Sequence, residues 1–240
     1  EPEAWSIRWY KNMIGDCSAD VVSSTVPCST KWMVGTVNSF YIGIIATVIA
    51  TALGTLAALG LSRPHMPYKG LIMAILISPM IVPLIITAAG MFFFYARINL
   101  VYTFTGVILA HVALATPFVV ITVTATLVGF DMNMVKAAQS LGAKPLRTFF
   151  KVIMPLILPG IISGALFAFI TSFDEVVIVM FMASIDQLTI PKQMWAGIRQ
   201  EISPVILCMA TCLVLLSIFL LTTVELLRRR SEKLRGIKAR

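Results

Sequence analysis

The stretch from Phe130 to Pro155, FDMNMVKAAQSLGAKPLRTFFKVIMP, decides how this chain is read: a polar, basic interruption between apolar runs, itself patterned as two short helices. Asp131 suits the N-cap of a first helix through Met134, Ala137, Ala138 and Leu141, because its carboxylate can accept from first-turn amides that lack a partner. Gly142 is placed to end that helix in the left-handed conformation that other residues resist. Pro145 then starts a second helix, where its missing N–H is not needed, and Phe149, Phe150 and Ile153 lead into the next apolar run. The two alanines leave a small, smooth face that a groove accepts. Short helices joined by a glycine and rooted in a long apolar helix make a rigid lever, so the segment is expected to dock a partner and transmit its movement.

The surrounding composition sets the solvent. With 58% hydrophobic and 12% charged residues and a mean hydropathy of +0.92, the chain is too apolar for a soluble domain of its length. Four stretches, about 36–61, 71–95, 101–128 and 205–223, reach the roughly 20 residues needed to cross a hydrocarbon core. A fifth, about 156–182, is interrupted by Asp174 and Glu175. The expectation is therefore an all-α membrane protein with about five transmembrane helices in this chain.

The net charge of +8 does not imply nucleic acid, because the cations alternate between loops. In a five-span arrangement, thirteen of them (Arg63, Lys69, Lys136, Lys144, Arg147, Lys151 and seven in the tail) fall on one side and six on the other. That bias places the 130–155 loop and the C-terminus in the cytoplasm. It divides the chain into an external segment over 1–33, a membrane domain over 34–224 and a basic cytoplasmic tail over 225–240. A chain starting outside at Glu1 needs an upstream span to carry it across, so six spans in the intact protein is the simplest reconstruction.

Cys17 and Cys28 lie in the external segment, where an oxidising compartment permits either a bridge or free thiols. Cys208 and Cys212 read as packing residues of the last run, and no cysteine spacing suits a metal. Within the membrane, Ala46, Ala50, Gly54 and Ala58 form one small-residue stripe and Gly160, Gly164 and Ala168 another, each inviting close approach of a second helix. Pro79, Pro83 and Pro117 each remove a backbone donor, giving either a simple kink or a gate hinge facing protein or water. His65 and His111 read as loop or packing residues.

At about 100° per residue, Glu175 falls roughly 20° from Gly164 on the packed face, and Asp174 about 80° to the other side. Acids within a span cost about 2.5–3.5 kcal/mol on insertion scales, which asks for a reason. They are either hydrogen-bonded structural groups or negative charge supplied to a water-filled path, with Phe173 beside them. The following segment, SIDQLTIPKQMWAGIRQEISP, reads as a short external helix with Pro191 in its first turn and Trp195 as an interfacial anchor, lying flat on the membrane or forming a lip for a partner. The terminal RRRSEKLRGIKAR reads as contact with anionic lipid.

The central loop resembles the permease subunits of ATP-binding cassette importers, whose cytoplasmic signature reads EAA, three residues, glycine, nine residues, I-x-L-P. The match is Lys136, Ala137 and Ala138, then Gly142, then Val152-Ile153-Met154-Pro155, with Lys136 where the family has glutamate. SIRWY at 6–10, GFD at 129–131, SFDEVVIVMF at 172–181 and ISP at 202–204 are similar to the second permease of the spermidine/putrescine group. The resemblance implies the type I importer permease fold, with 34–224 as its transmembrane domain. It also implies a multi-pass inner-membrane subunit working with a second related permease, two ATPase subunits and an external solute-binding protein.

Lys136, Ala137, Ala138, Leu141, Gly142 and Pro155 would then couple to the ATPase, and Glu175, Asp174, Phe173 and Trp195 are candidates for the substrate path or gate. ATP and Mg would be used by the partner ATPases, with no cofactor, metal or catalytic residue in this chain, which lacks a GxxxxGK[ST] phosphate loop. The expected cargo is a small cationic amine, a polyamine such as spermidine or putrescine, with another small solute on the same machinery as the variant of this reading. Two readings from other classes compete: an ion-coupled secondary carrier with a site on broken helices, and a purely structural assembly subunit.

Overall fold

Apolar runs in a bilayer fold as helices because the hydrocarbon offers no partner to backbone amides and carbonyls, and a helix satisfies them internally. The computed structural model describes residues 7–15, 30–63, 65–128, 133–200 and 203–234, and among them the chain is helical without strands. In order come α1 (Arg8–Met13), α2 (Lys31–Leu61), α3 (Lys69–Ile81), α4 (Leu84–Arg97), α5 (Phe104–Val128), α6 (Asn133–Ser140) and α7 (Pro145–Thr148). A π-helical turn (Phe149–Ile153), α8 (Met154–Phe173), α9 (Val177–Met182), α10 (Ile190–Gln200) and α11 (Pro204–Leu234) follow. The candidate Cys17–Cys28 bridge and the Asp131 cap expected from the sequence lie outside the described residues.

Among the described residues, α2, α5, the run Pro145–Phe173 and Pro204–Thr222 of α11 are each long and apolar enough to cross a membrane. The second expected span is different: α3 and α4 meet at 102°, so the stretch is a sharply bent helix pair and not a simple kink. Its break has a local cause. Pro83 disfavours helix at the residue before it, and Val82 is accordingly extended, with φ −69° and ψ 136°. Pro79, by contrast, is carried inside α3, and Pro117 is buried inside α5.

Two compact units are distinguished, residues 40–184 and a second made of the segments before and after it. The first is organised on α5, whose buried face includes Val119, Val120, Val123 and Thr124. Glycines of both small-residue stripes pack on that helix. A Cβ added to Gly54 of α2 would sit 2.6 Å from Val119 Cβ, and one on Gly164 of α8 would sit 2.5 Å from Thr122 Oγ1 and 3.0 Å from Val119 Cα. A Cβ on Gly160 would collide with Thr126 Oγ1. The glycines thus let backbones approach where any side chain would hold them apart. Thr122 and Thr126 can line this contact because each hydroxyl donates back to its own helix, at 2.9 Å to Phe118 O and 2.9 Å to Thr122 O.

One end of this unit is closed by the turn between α4 and α5. Asn99, at φ 56°, ends α4 with its neighbour Leu100 donating to Tyr95 O at 2.9 Å. Thr103 Oγ1 accepts from Gly106 N at 3.0 Å and so caps α5. Tyr102 N donates to Met182 O at 2.9 Å, which ties this turn to the end of α9.

In the second unit, Asn38 near the start of α2 donates from Nδ2 to Asp186 O at 2.8 Å and Leu188 O at 3.0 Å. Ser39 Oγ accepts from Ile190 N at 2.8 Å, at the first residue of α10. These bonds hold the 186–190 backbone against α2, while Gly197 of α10 brings its backbone close to Ile206 of α11.

The glycine contacts predict a graded stability effect. In purified protein, Gly164→Leu should lower thermal stability through overpacking worth about 1–3 kcal/mol. Gly90→Ala, where nothing lies within 4 Å of the new Cβ, should leave the melting temperature unchanged. Equal melting temperatures for the two variants would contradict the packing.

Candidate coupling surface and intramembrane break

The central loop folds as its residues direct. α6 ends in a left-handed residue, Gly142 at φ 81°, with Gly142 N donating to Gln139 O at 2.9 Å and Ala143 N to Ala138 O at 3.0 Å. These are the two bonds that close a helix end around a glycine. α7 begins at Pro145, in the position where proline needs no donor. The helix then continues through the π-helical turn and Pro155 into α8, so Pro155 lies within a continuous run and not at its start. A widened turn just ahead of a proline is physically apt, since the ring withholds the N–H that the fourth residue back would have used.

Among the described residues, most of the loop's side chains are exposed. Leu141 is 88% exposed, Leu146 74%, Phe150 59% and Met134 50%. Lys136, Ala137, Gly142, Lys144, Arg147 and Lys151 are exposed as well, whereas Ala138 is half-buried and Thr148 is buried. Apolar side chains this exposed, on a segment anchored by a glycine cap and a continuous helix, make a shaped contact surface.

At the other end of α8 the structure departs from the continuous helix expected over 156–182. The helix stops at Phe173 and resumes at Val177, leaving Asp174, Glu175 and Val176 as a break. Glu175 is 7% exposed, and its Oε1 accepts from Ile178 N at 2.8 Å, satisfying a first-turn amide of α9. The acid faces inward as the helical angle implied, but as a cap on a new helix. Asp174 is exposed on this chain, so the two neighbouring carboxylates have separate surroundings.

Beside the break, Ser172 Oγ and His111 Nδ1 lie 2.7 Å apart and join α5 to α8. His111 is 1% exposed, so it is a packing residue with a specific polar partner across helices. Its signal in the sequence is a single imidazole in an otherwise uncharged span. Phe173 stacks at 5.3 Å on Phe169 and meets Phe40 edge-on at 5.2 Å, so it belongs to an aromatic cluster where α2 faces α8. Trp195 belongs to the second unit, on α10, half-exposed and with the Arg199 guanidinium 5.7 Å from its ring centroid. On the same helix, burial pulls the Lys192 ammonium down from the ordinary lysine range. No group of His, Cys, Asp or Glu able to hold a metal occurs among the described residues.

Residues 30–233 match the family described as the binding-protein-dependent transport system inner membrane component. The chain belongs to that family. This permease is 30% identical over 196 residues to the spermidine/putrescine transport system permease protein PotC of Haemophilus influenzae, covering 82% of this chain and 76% of that one. It is 30% identical over 215 residues to the putrescine transport system permease protein PotI of Escherichia coli, covering 86% and 72%. Its fold is similar to that of a chain in an inward-facing MetNI methionine ABC transporter, with a TM-score of 0.61 at 19% identity over 91% of this chain and all of that one. A bacterial ABC transporter involved in import of the acidic polysaccharide alginate superposes with a TM-score of 0.58 at 15% identity, covering 80% of this chain and 71% of that one.

The permease is therefore a multi-pass inner-membrane subunit of an ABC importer, itself non-catalytic, in a complex with ATPase and binding-protein partners. Membership favours the ATP-driven importer over the ion-coupled carrier.

The cap at Glu175 separates shape from charge. Glu175→Ala should cost about 1 kcal/mol of stability by leaving an α9 amide unsatisfied. Glu175→Gln should retain most of it, because the amide oxygen still accepts from Ile178. Equal melting temperatures for the two variants would remove the cap as the reason for a buried acid here.

Proposed function

We propose that this permease forms half of the membrane path of an importer for a polyamine such as spermidine or putrescine, paired with a second related permease. Two ATPase subunits, using ATP and Mg, close beneath the pair, and an external binding protein delivers the solute. The segment 131–142 is the coupling helix, seated in an ATPase groove, and the C-terminus lies on the same cytoplasmic side. The observation that carries this reading is the ordered, exposed surface of α6 and Leu141, continuous through the Pro145–Phe173 helix with the break at 174–176. A push on that surface reaches the membrane helix through the hydrogen-bonded Gly142 turn.

The cargo is supported by the polyamine transporters among the relatives and by the carboxylates at the break. Since Glu175 already accepts from an α9 amide, the exposed Asp174 is the carboxylate offered to a cationic solute, near the Phe173 cluster. Trp195 and α10 form an external lip facing the binding protein.

The assembled complex in proteoliposomes tests both parts. ATP should drive uptake of radiolabelled spermidine or putrescine, and uptake driven by an ion gradient without ATP would overturn the reading. Gly142→Val, which forces a β-branched residue to φ 81°, should reduce uptake by tenfold or more, on the order of the 1–3 kcal/mol that such backbone strain costs. Full uptake by that variant would make α6 a bystander. Asp174→Asn should raise the concentration for half-maximal polyamine uptake, and an unchanged value would remove Asp174 from the path.

A further inference from the structure

Past Asp131, the acid that opens the coupling segment, the loop carries a single sign of charge. Between residues 132 and 173 the sequence contains no Asp or Glu, while Lys136, Lys144, Arg147 and Lys151 are all present and exposed. Among the described residues none of these four cations has an ion-pair partner. Around them project Met134, Leu141, Leu146 and Phe150. The surface is thus a set of apolar anchors within a cationic rim, the arrangement of a contact whose partner supplies the opposite charge.

We propose that the ATPase groove receiving α6 is acidic at its rim, with a carboxylate facing Lys136, so that charge selects which ATPase this permease engages. This rests on the reading of α6 as the ATPase-docking helix. Lys136 occupies the coupling signature's first position, where the resembling family has glutamate, so the polarity of that contact is inverted in this chain. An anionic lipid surface suits the segment less well. A helix lying in a headgroup layer presents bulky apolar residues on one face and many cations on the other. α6 carries a single lysine, and its neighbours Ala137 and Ala138 are small, which fits a groove better than acyl chains.

The test is a titration of the ATPase subunit onto the full-length permease pair in nanodiscs, at about 50 and 500 mM salt, across which screening shortens from over 10 Å to a few ångströms. Lys136→Glu should weaken ATPase binding by about tenfold at low salt, with the difference largely closing at high salt, and Lys136→Arg should bind as the wild type does. The same results should hold in discs of neutral and of anionic lipid. Wild-type affinity for Lys136→Glu at low salt would overturn the acidic rim while leaving ATPase docking intact. A defect confined to anionic discs would assign the cations to lipid and overturn the proposal. Failure of the wild-type pair to bind the ATPase at either salt would instead overturn the docking reading, and this proposal with it.

Discussion

Close approach of α8 to α5 is the contact on which the rest of the first unit depends. Gly160 and Gly164 bring the α8 backbone against Val119, Thr122 and Thr126. Lipid tails are as apolar as leucine, so membrane helices gain little from hydrophobic burial against one another, and backbone proximity with good packing carries the association. The same α5 face receives Gly54 of α2, so one helix serves as the common wall for two others. His111 and Ser172 add a polar fastening at the end of this wall. Gly160 and Gly164 thus hold two successive turns of α8 against α5.

A second constraint follows from the solvent. Wherever a helix stops within or beside the membrane, its free amides and carbonyls must find partners inside the protein. The structure meets this at four helix ends by a local device: a glycine-centred turn at Gly142, a left-handed Asn99 after α4, Thr103 ahead of α5 and Glu175 ahead of α9. The buried carboxylate is thereby explained without requiring it to touch cargo, and the exposed Asp174 beside it is the one proposed to meet the solute.

The parts of this architecture legible in the sequence are those set by residues with special backbone behaviour. Gly142 and Pro145 marked the two helices of the loop, and the alanine and glycine stripes marked the faces that pack. The break at 174–176 was hidden because apolar residues resume directly after Asp174 and Glu175, so the run is long enough to read as one helix bearing two acids. Its signal was an acid three residues ahead of an amide it could cap. The 102° turn between α3 and α4 followed from Pro83 in kind but not in size. A proline fixes where a helix is interrupted, whereas the angle is set by what the two halves pack against.

The central claim is that α6 and Leu141 touch the ATPase and move with it. Site-directed cross-linking tests this directly, with Leu141→Cys in a background lacking the native cysteines and the complex assembled in membrane vesicles. The account predicts a cross-link to the ATPase subunit whose yield changes on adding ATP, and none from Ile98→Cys in the α4–α5 turn. Absence of a cross-link from position 141 in an assembled, ATP-hydrolysing complex would contradict it.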